Sequence, residues 1–166
     1  MAALDILVYP DEHLKQVARP VEHFDHELQE FVARLEETMH ASPACVGLAA
    51  TQVGYPWRIA IVDVSIKPGV KNHGRILLIN PEIASWEGSV VGREGCMSVP
   101  DYTGNVIRAE RISLDTFDLS GGRRHYQLEG FEARAVQHEI DHLDGKLFLD
   151  RLVSRRNDLF RRKSYK

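Results

Sequence analysis

The chain has 166 residues, 43% of them apolar and 27% charged, with a formal net charge of −3. That length suits one domain with a sizeable core, and the composition is that of an ordinary soluble globular protein. The slightly acidic balance argues against a DNA binder carried by whole-molecule charge. Two cysteines cannot build a disulfide framework, so a reducing compartment is expected. No apolar run approaches the roughly 20 residues of a membrane span. Met1 to Pro10 has no Lys or Arg, and Asp5 interrupts its short apolar run, unlike a signal peptide. A cytoplasmic protein without a membrane partner is the expectation.

In chain order, the first ten residues read as a strand or extended arm, and Pro10-Asp11-Glu12 as a turn opening a short helix. Asp25 is an N-cap for a helix to about His40, with Leu28, Phe31, Val32, Leu35 and Met39 at the spacing of a buried stripe and Ser42-Pro43 ending it. From Val46 to about Gln127 the pattern becomes short apolar runs bounded by Gly, Pro and Asn: Ile59 to Val64, Ile76 to Ile79, Ile83 to Val91 and Val106 to Leu119. Ser120-Gly121-Gly122-Arg123 has the chemistry of a hairpin tip, and strands joined by hairpins pair antiparallel. Helical spacing returns at about Phe131 and runs to Asp144-Gly145, with Gly145 as the stop. A last helix is expected from Ser154 to Lys163. The fold class that follows is α+β: mostly antiparallel sheets around a central helix, with N-terminal and C-terminal helices, in one domain over residues 1–166.

The central helix carries the chemistry. His138-Glu139-Ile140-Asp141-His142 is an H-E-x-x-H pentad. Its two imidazoles lie on one helix face and can grip one metal ion, with Glu139 placed to handle a proton of the activated water. The plain alternative is an amphipathic helix with two histidines on its surface. A catalytic site of this kind usually takes a third protein ligand. Cys96, in Arg93-Glu94-Gly95-Cys96-Met97-Ser98, is a candidate; a lone Cys in such a setting is otherwise a small buried hydrophobe. In Val46-Gly47-Leu48-Ala49-Ala50-Thr51-Gln52 the small residues allow close backbone approach. Gln52 offers an uncharged donor to an oxygen that becomes negative, or simply closes a packed turn.

Taken together, Cys45 to Gln52, Glu94-Gly95-Cys96-Met97-Ser98 and Gln137-His138-Glu139-Ile140-Asp141-His142 resemble the three ordered motifs of the peptide deformylases, G-x-G-x-A-A-x-Q, E-G-C-x-S and Q-H-E-x-D-H. Val8-Tyr9-Pro10-Asp11, Asn80-Pro81 and Val106-Ile107-Arg108 extend the likeness over most of the chain. Cys45 departs from the first motif, which has Gly there; it either alters the wall beside the substrate or simply packs.

The resemblance implies a hydrolase that removes the formyl group from N-formyl-methionyl nascent peptides and releases formate. One divalent ion would be held by Cys96, His138 and His142: ferrous iron physiologically, with nickel, cobalt or zinc able to substitute. Glu139 would be the acid–base, with Gln52 and the Met97 backbone N–H stabilising the oxyanion. Val46, Phe131, Ala135 and the stem of Arg134 would wall the methionine pocket. Gly47 and Gly95 would also contact substrate, the peptide pairing with Val46 and Gly47 as an added strand. Around the ligands, Arg108 is expected to pair with Glu94 and brace the Cys96 loop, and Asp141 either orients a ligand imidazole or is a solvated helix residue. The rivals are a zinc metalloprotease-like peptidase and a deformylase-like protein altered at Cys45. After His142 the chain has no His or Glu, the usual source of a protease's third ligand. Arg151, Arg155, Arg156, Arg161, Arg162, Lys163 and Lys166 form a basic C-terminal stretch that either docks on the ribosome or only solubilises the last helix.

Overall fold

The computed structural model describes residues 3–42 and 44–162. The N-terminal arm is extended rather than a paired strand: Leu7 N–H donates to the Gln52 carbonyl and Tyr9 N–H to the Ser98 carbonyl, both at 2.7 Å. A 3-10 helix, Glu12–Lys15, follows, with Asp11 accepting from the His13 N–H at its start. Helix α1 spans His26–Ala41, and the Asp25 carboxylate accepts from the Leu28 N–H at 3.0 Å, the N-cap expected of it.

Nine strands follow among the described residues: β1 (Gly47–Ala49), β2 (Ile59–Val62), β3 (Ile76–Ile79), β4 (Glu82–Glu87), β5 (Val90–Cys96), β6 (Val99–Arg108), β7 (Arg111–Phe117), β8 (Arg123–Glu129) and β9 (Leu159–Arg161). They form three antiparallel sheets, β1-β2-β3, β4-β7-β8 and β5-β6-β9. Helix α2 is Gly130–Leu143. Gly145 adopts φ 77° just beyond it, the left-handed stop its sequence announces.

Strands β2 and β3 are apolar throughout because both faces of their sheet are covered. Ile59, Ile61, Leu77 and Ile79 pack on the α1 stripe of Leu28, Val32, Leu35 and Met39. The alternate residues Ala60, Val62, Ile76 and Leu78 pack on Ala133, Val136, Ile140 and Leu143 of α2, with Ile112, Leu114 and Leu128 of the second sheet. The sheet is thus a layer between the two helices, and α2 lies at the centre.

Three expectations change. The run Ile83 to Val91 is two strands, because Gly88 (φ 73°) turns the chain between β4 and β5. Val106 to Leu119 likewise divides at Arg108 into β6 and β7. The helix expected from Ser154 is absent from the described residues: 155–157 are turn, and β9 pairs with β6 through Tyr102–Arg161, Thr103–Phe160 and Gly104–Leu159. An open edge on β6 outweighed a local composition that suits helix. Lys163, the last residue of that expected helix, lies outside the described residues.

Candidate active site

Helix α2 buries Glu132, Arg134, His138, Glu139, Asp141 and His142 together with its apolar side. Charged groups persist in such a place only with partners. Glu94 on β5 is the hub. It accepts from Arg108 Nε and Nη2 (both 2.9 Å), from Arg134 Nη1 (2.7 Å) and from His138 Nδ1 (2.8 Å). Burial alone would raise its pKa, but hydrogen bonds from Arg108 and His138 outweigh burial and hold it well below the usual carboxylate range. Arg108 Nη1 also donates to Asp141 at 2.5 Å, and Arg151 donates to both Asp141 oxygens. The expected Glu94–Arg108 brace is therefore present. Asp141 reaches the site through Arg108 instead of through an imidazole. Glu94 orients the ring of His138, because that ring's Nδ1 faces β5 while Asp141 faces β6.

With Nδ1–H of His138 donated to Glu94, its Nε2 lone pair points inward. His138 Nε2 lies 3.2 Å from His142 Nε2, and His142 Nε2 lies 3.4 Å from Cys96 Sγ. The three ligand atoms all fall within 4.8 Å of one another. Metal–nitrogen bonds of about 2.1 Å and a metal–sulfur bond of about 2.3 Å at tetrahedral angles give edges of about 3.4 and 3.6 Å. One thiol and two imidazoles converging at nearly those separations fit a divalent first-row ion. Burial holds His142 well below the ordinary histidine range, so it stays neutral as a ligand must.

Glu139 is 4% exposed, and its Oε1 is buried with no hydrogen-bond partner. Burial pushes its pKa up to about 7. Its other oxygen faces Gly47, where a Cβ would sit 2.6 Å from Oε2, so that glycine makes room for the carboxylate. Gln52 accepts from the Ala49 N–H (2.9 Å) and directs its amide N–H groups to Ser98 Oγ (3.1 Å) and Cys96 Sγ (3.5 Å).

These groups line one cavity of about 280 Å³, near the lower end of ligand clefts at about 300–1,000 Å³. Val46, Gly47, Gln52, Glu94, Gly95, Cys96, Met97, Phe131, Arg134, Ala135, His138 and Glu139 all border it. His142 lies behind, and Arg108 and Asp141 outside. Arg134 differs from its expected part. It borders the cavity, but its buried guanidinium binds Glu94 and the Val90 and Val106 carbonyls. Cys45 borders the cavity too; its thiol donates to the Gly47 carbonyl at 3.1 Å, and burial pushes its pKa up to about 12.

Sequence reasoning did not single out Ser98, fully buried against Gln52, or Arg58, which donates to the Leu143 carbonyl at the end of α2. It read Arg151 only as part of a basic tail, and did not place Lys67, Arg93 or Arg162 on the cavity, which they border. Only Ser98 carried a signal, as the last residue of its motif.

A buried Cys/His/His cluster with an adjoining buried carboxylate, on an antiparallel α+β scaffold, defines the class of metal-dependent hydrolases. Residues 3–158 match the model of the polypeptide deformylase family. The chain is 45% identical to a peptide deformylase of Alkalilimnicola ehrlichii over 98% of this chain and 89% of that one, and 42% identical to one of Thermodesulfovibrio yellowstonii over 98% and 97%. The crystal structure of peptide deformylase from Thermotoga maritima superposes with a TM-score of 0.85 at 36% identity, covering 93% of this chain and all of that one. The chain belongs to the peptide deformylase family, which is metal-dependent. No helix among the described residues is long and apolar enough to cross a membrane.

Proposed function

We propose that this chain is a catalytic domain that removes the formyl group from N-formyl-methionyl nascent peptides, giving formate and a free amine. The observation that carries the reading is the convergence of Cys96, His138 and His142 beside Glu139, with Cys96, His138 and Glu139 bordering one cavity. Cys96 Sγ, His138 Nε2 and His142 Nε2 would hold the ion. When bound, the ion acidifies the attacking water and polarises the formyl oxygen. Glu139, whose buried Oε1 has no hydrogen-bond partner, takes the proton of the attacking water and returns it to the leaving nitrogen. Gln52, beside Cys96 in the cavity wall, and the Met97 backbone N–H donate to the oxygen as it becomes negative. Val46, Phe131, Ala135 and the Arg134 stem receive the methionine side chain. The peptide backbone lies along β1, an edge strand of its sheet, and past Gly95.

Ferrous iron is the ion proposed for the cell, with zinc, nickel or cobalt able to substitute; a thiolate ligand makes the iron form sensitive to oxidation. The cytoplasm is the proposed location. Cys45 is itself partly buried and packs against the buried apolar cluster around α1, which supports a packed thiol and an active enzyme over an altered one. A thiol ligand upstream of the pentad supports a deformylase over a zinc protease. Ribosome docking is proposed through the exposed Arg155, Arg156 and Arg161, in turn and strand backbone, and is tested by salt-dependent co-sedimentation of the arginine-to-glutamine variant.

The test of function is amine release from a formyl-methionyl tripeptide by anaerobically purified, metal-loaded protein beside Glu139→Ala. Turnover that falls by about 10²–10⁴ with metal content unchanged is expected. A metal-loaded parent that releases no amine overturns the reading.

A further inference from the structure

A second cavity, of about 240 Å³, lies on the α1 face of the β1-β2-β3 sheet, opposite the face that carries α2 and the catalytic groups. Val21, Leu28 and Ile59, buried members of the α1 cluster, form its floor. Phe31, Tyr55 and Trp57 wall it; the Phe31 and Tyr55 ring centroids are 4.6 Å apart, and Trp57 is 40% exposed. Main-chain bonds pin the segment that presents Tyr55 and Trp57. Tyr55 N–H donates to the Ala50 carbonyl at 3.0 Å, Arg19 N–H to the Pro56 carbonyl at 2.8 Å and Arg58 N–H to the Arg19 carbonyl at 2.9 Å. The aromatic wall is therefore preorganised.

The same cavity is bordered by Glu22, His23, Asp25 and Glu27. Asp25 uses its carboxylate as the α1 N-cap. The Glu22 and Glu27 side chains have no hydrogen-bond or ion-pair partner among the described residues. Among those residues no Lys or Arg borders the cavity, and His23 is the one group there able to carry positive charge. The start of α1 adds a partial positive charge of about one half, which three carboxylates outweigh.

Aromatic faces attract cations, and the carboxylates beside them set the same sign for a guest. Volume sets its size. The cavity falls below the about 300–1,000 Å³ of ordinary ligand clefts, so it suits one long side chain better than a cofactor. A guanidinium fits it better than an ammonium, because it is planar, weakly hydrated, stacks on rings and pairs with carboxylates through its fork. A free amino acid would bring its own carboxylate against Glu22 and Asp25, whereas an arginine within a chain is flanked by uncharged amides.

We propose that this cavity docks an arginine side chain of a partner polypeptide, its guanidinium stacked on Trp57 and Tyr55 and paired with Glu22 and Glu27, its methylenes over Val21, Leu28 and Ile59. A partner held there sits across the sheet from the catalytic cavity and leaves the entry of substrate open.

The full chain carrying Trp86→Phe keeps Trp57 as its single tryptophan, and its fluorescence is titrated with acetyl-Ala-Arg-Ala-amide. A saturable change with a dissociation constant of about 1 mM is expected of one such side chain. The lysine peptide should bind about 3-fold more weakly. Free arginine and the citrulline peptide, which has the same shape without the charge, should bind at least about 10-fold more weakly. Glu22→Gln with Glu27→Gln leaves the Asp25 cap in place, so the unfolding midpoint should hold while affinity for the arginine peptide falls about 3- to 10-fold. No saturable change in the parent, or a citrulline peptide that binds as tightly as the arginine one, overturns the proposal. Equal binding of free arginine overturns the polypeptide as its source, and equal binding of lysine overturns the choice of arginine. Undiminished affinity in the double glutamine variant overturns the pairing with Glu22 and Glu27.

Discussion

Helices α1 and α2 pack on opposite faces of the same three-stranded sheet, yet they are held in different ways. Helix α1 buries one stripe, Leu28, Val32, Leu35 and Met39, against Ile59, Ile61 and Ile79, and turns its charged side to water. Helix α2 buries an apolar side and, beside it, six ionisable residues, four of which, Glu132, Arg134, His138 and Asp141, meet His73, Glu94, Arg108 and Arg151 from other parts of the chain. Apolar contact is tolerant: any side chain of similar volume fills the α1 interface at modest cost. A buried charge layer is not, because each member left alone bears its desolvation unrelieved. Stability that accepts many sequences and a site that accepts few thus share one sheet.

Removing the hub should break the comparison most visibly. Glu94→Ala leaves Arg108, Arg134 and the His138 ring unanswered, and a loss of about 3–5 kcal/mol is expected, read by denaturant unfolding, with reduced metal content by elemental analysis. Leu35→Ala, at a fully buried position of α1, should cost about 2–5 kcal/mol while the folded protein keeps its metal. If Leu35→Ala lost metal as readily as Glu94→Ala, the two interfaces would not be separable. Gly47→Ala sharpens the same division. The new methyl group displaces the Glu139 carboxylate, so turnover should fall by about 10²-fold with little change in the unfolding midpoint. Asp25→Ala removes only the α1 N-cap and should cost about 1 kcal/mol, with kcat/KM unchanged.

The same contrast explains what was legible in the sequence. Helix α1, its cap and its stripe could be read because local spacing alone decides them. So could α2 and the pairing of His138 with His142, since the pentad's spacing is helical; Cys96 joined them only through the resemblance of its segment to a deformylase motif, and the structure brings the three side chains together. The Glu94–Arg108–Asp141–Arg151 chain was half legible. Its first link followed from neighbouring strand motifs, but Arg151 comes from a later turn that no periodicity marks. The basic stretch after Asp150 misled, because its composition suits a solvated helix whereas strand pairing with β6 decides its backbone. That error also hid Arg162, which reaches the cavity only because β9 is a strand.

The ligand set also has a topological consequence. Cys96 and His142 are 46 positions apart, and the chain between them includes β6, β7, β8 and nearly all of α2. An ion gripping both ends converts that stretch into a closed ring, as a cross-link would. On a chain-entropy model, a ring of this length restricts the unfolded ensemble by about 4 kcal/mol. An ion held there would be a reversible staple as well as a reagent. Chelation should lower the unfolding temperature of the whole β6–α2 segment, and reloading should restore it.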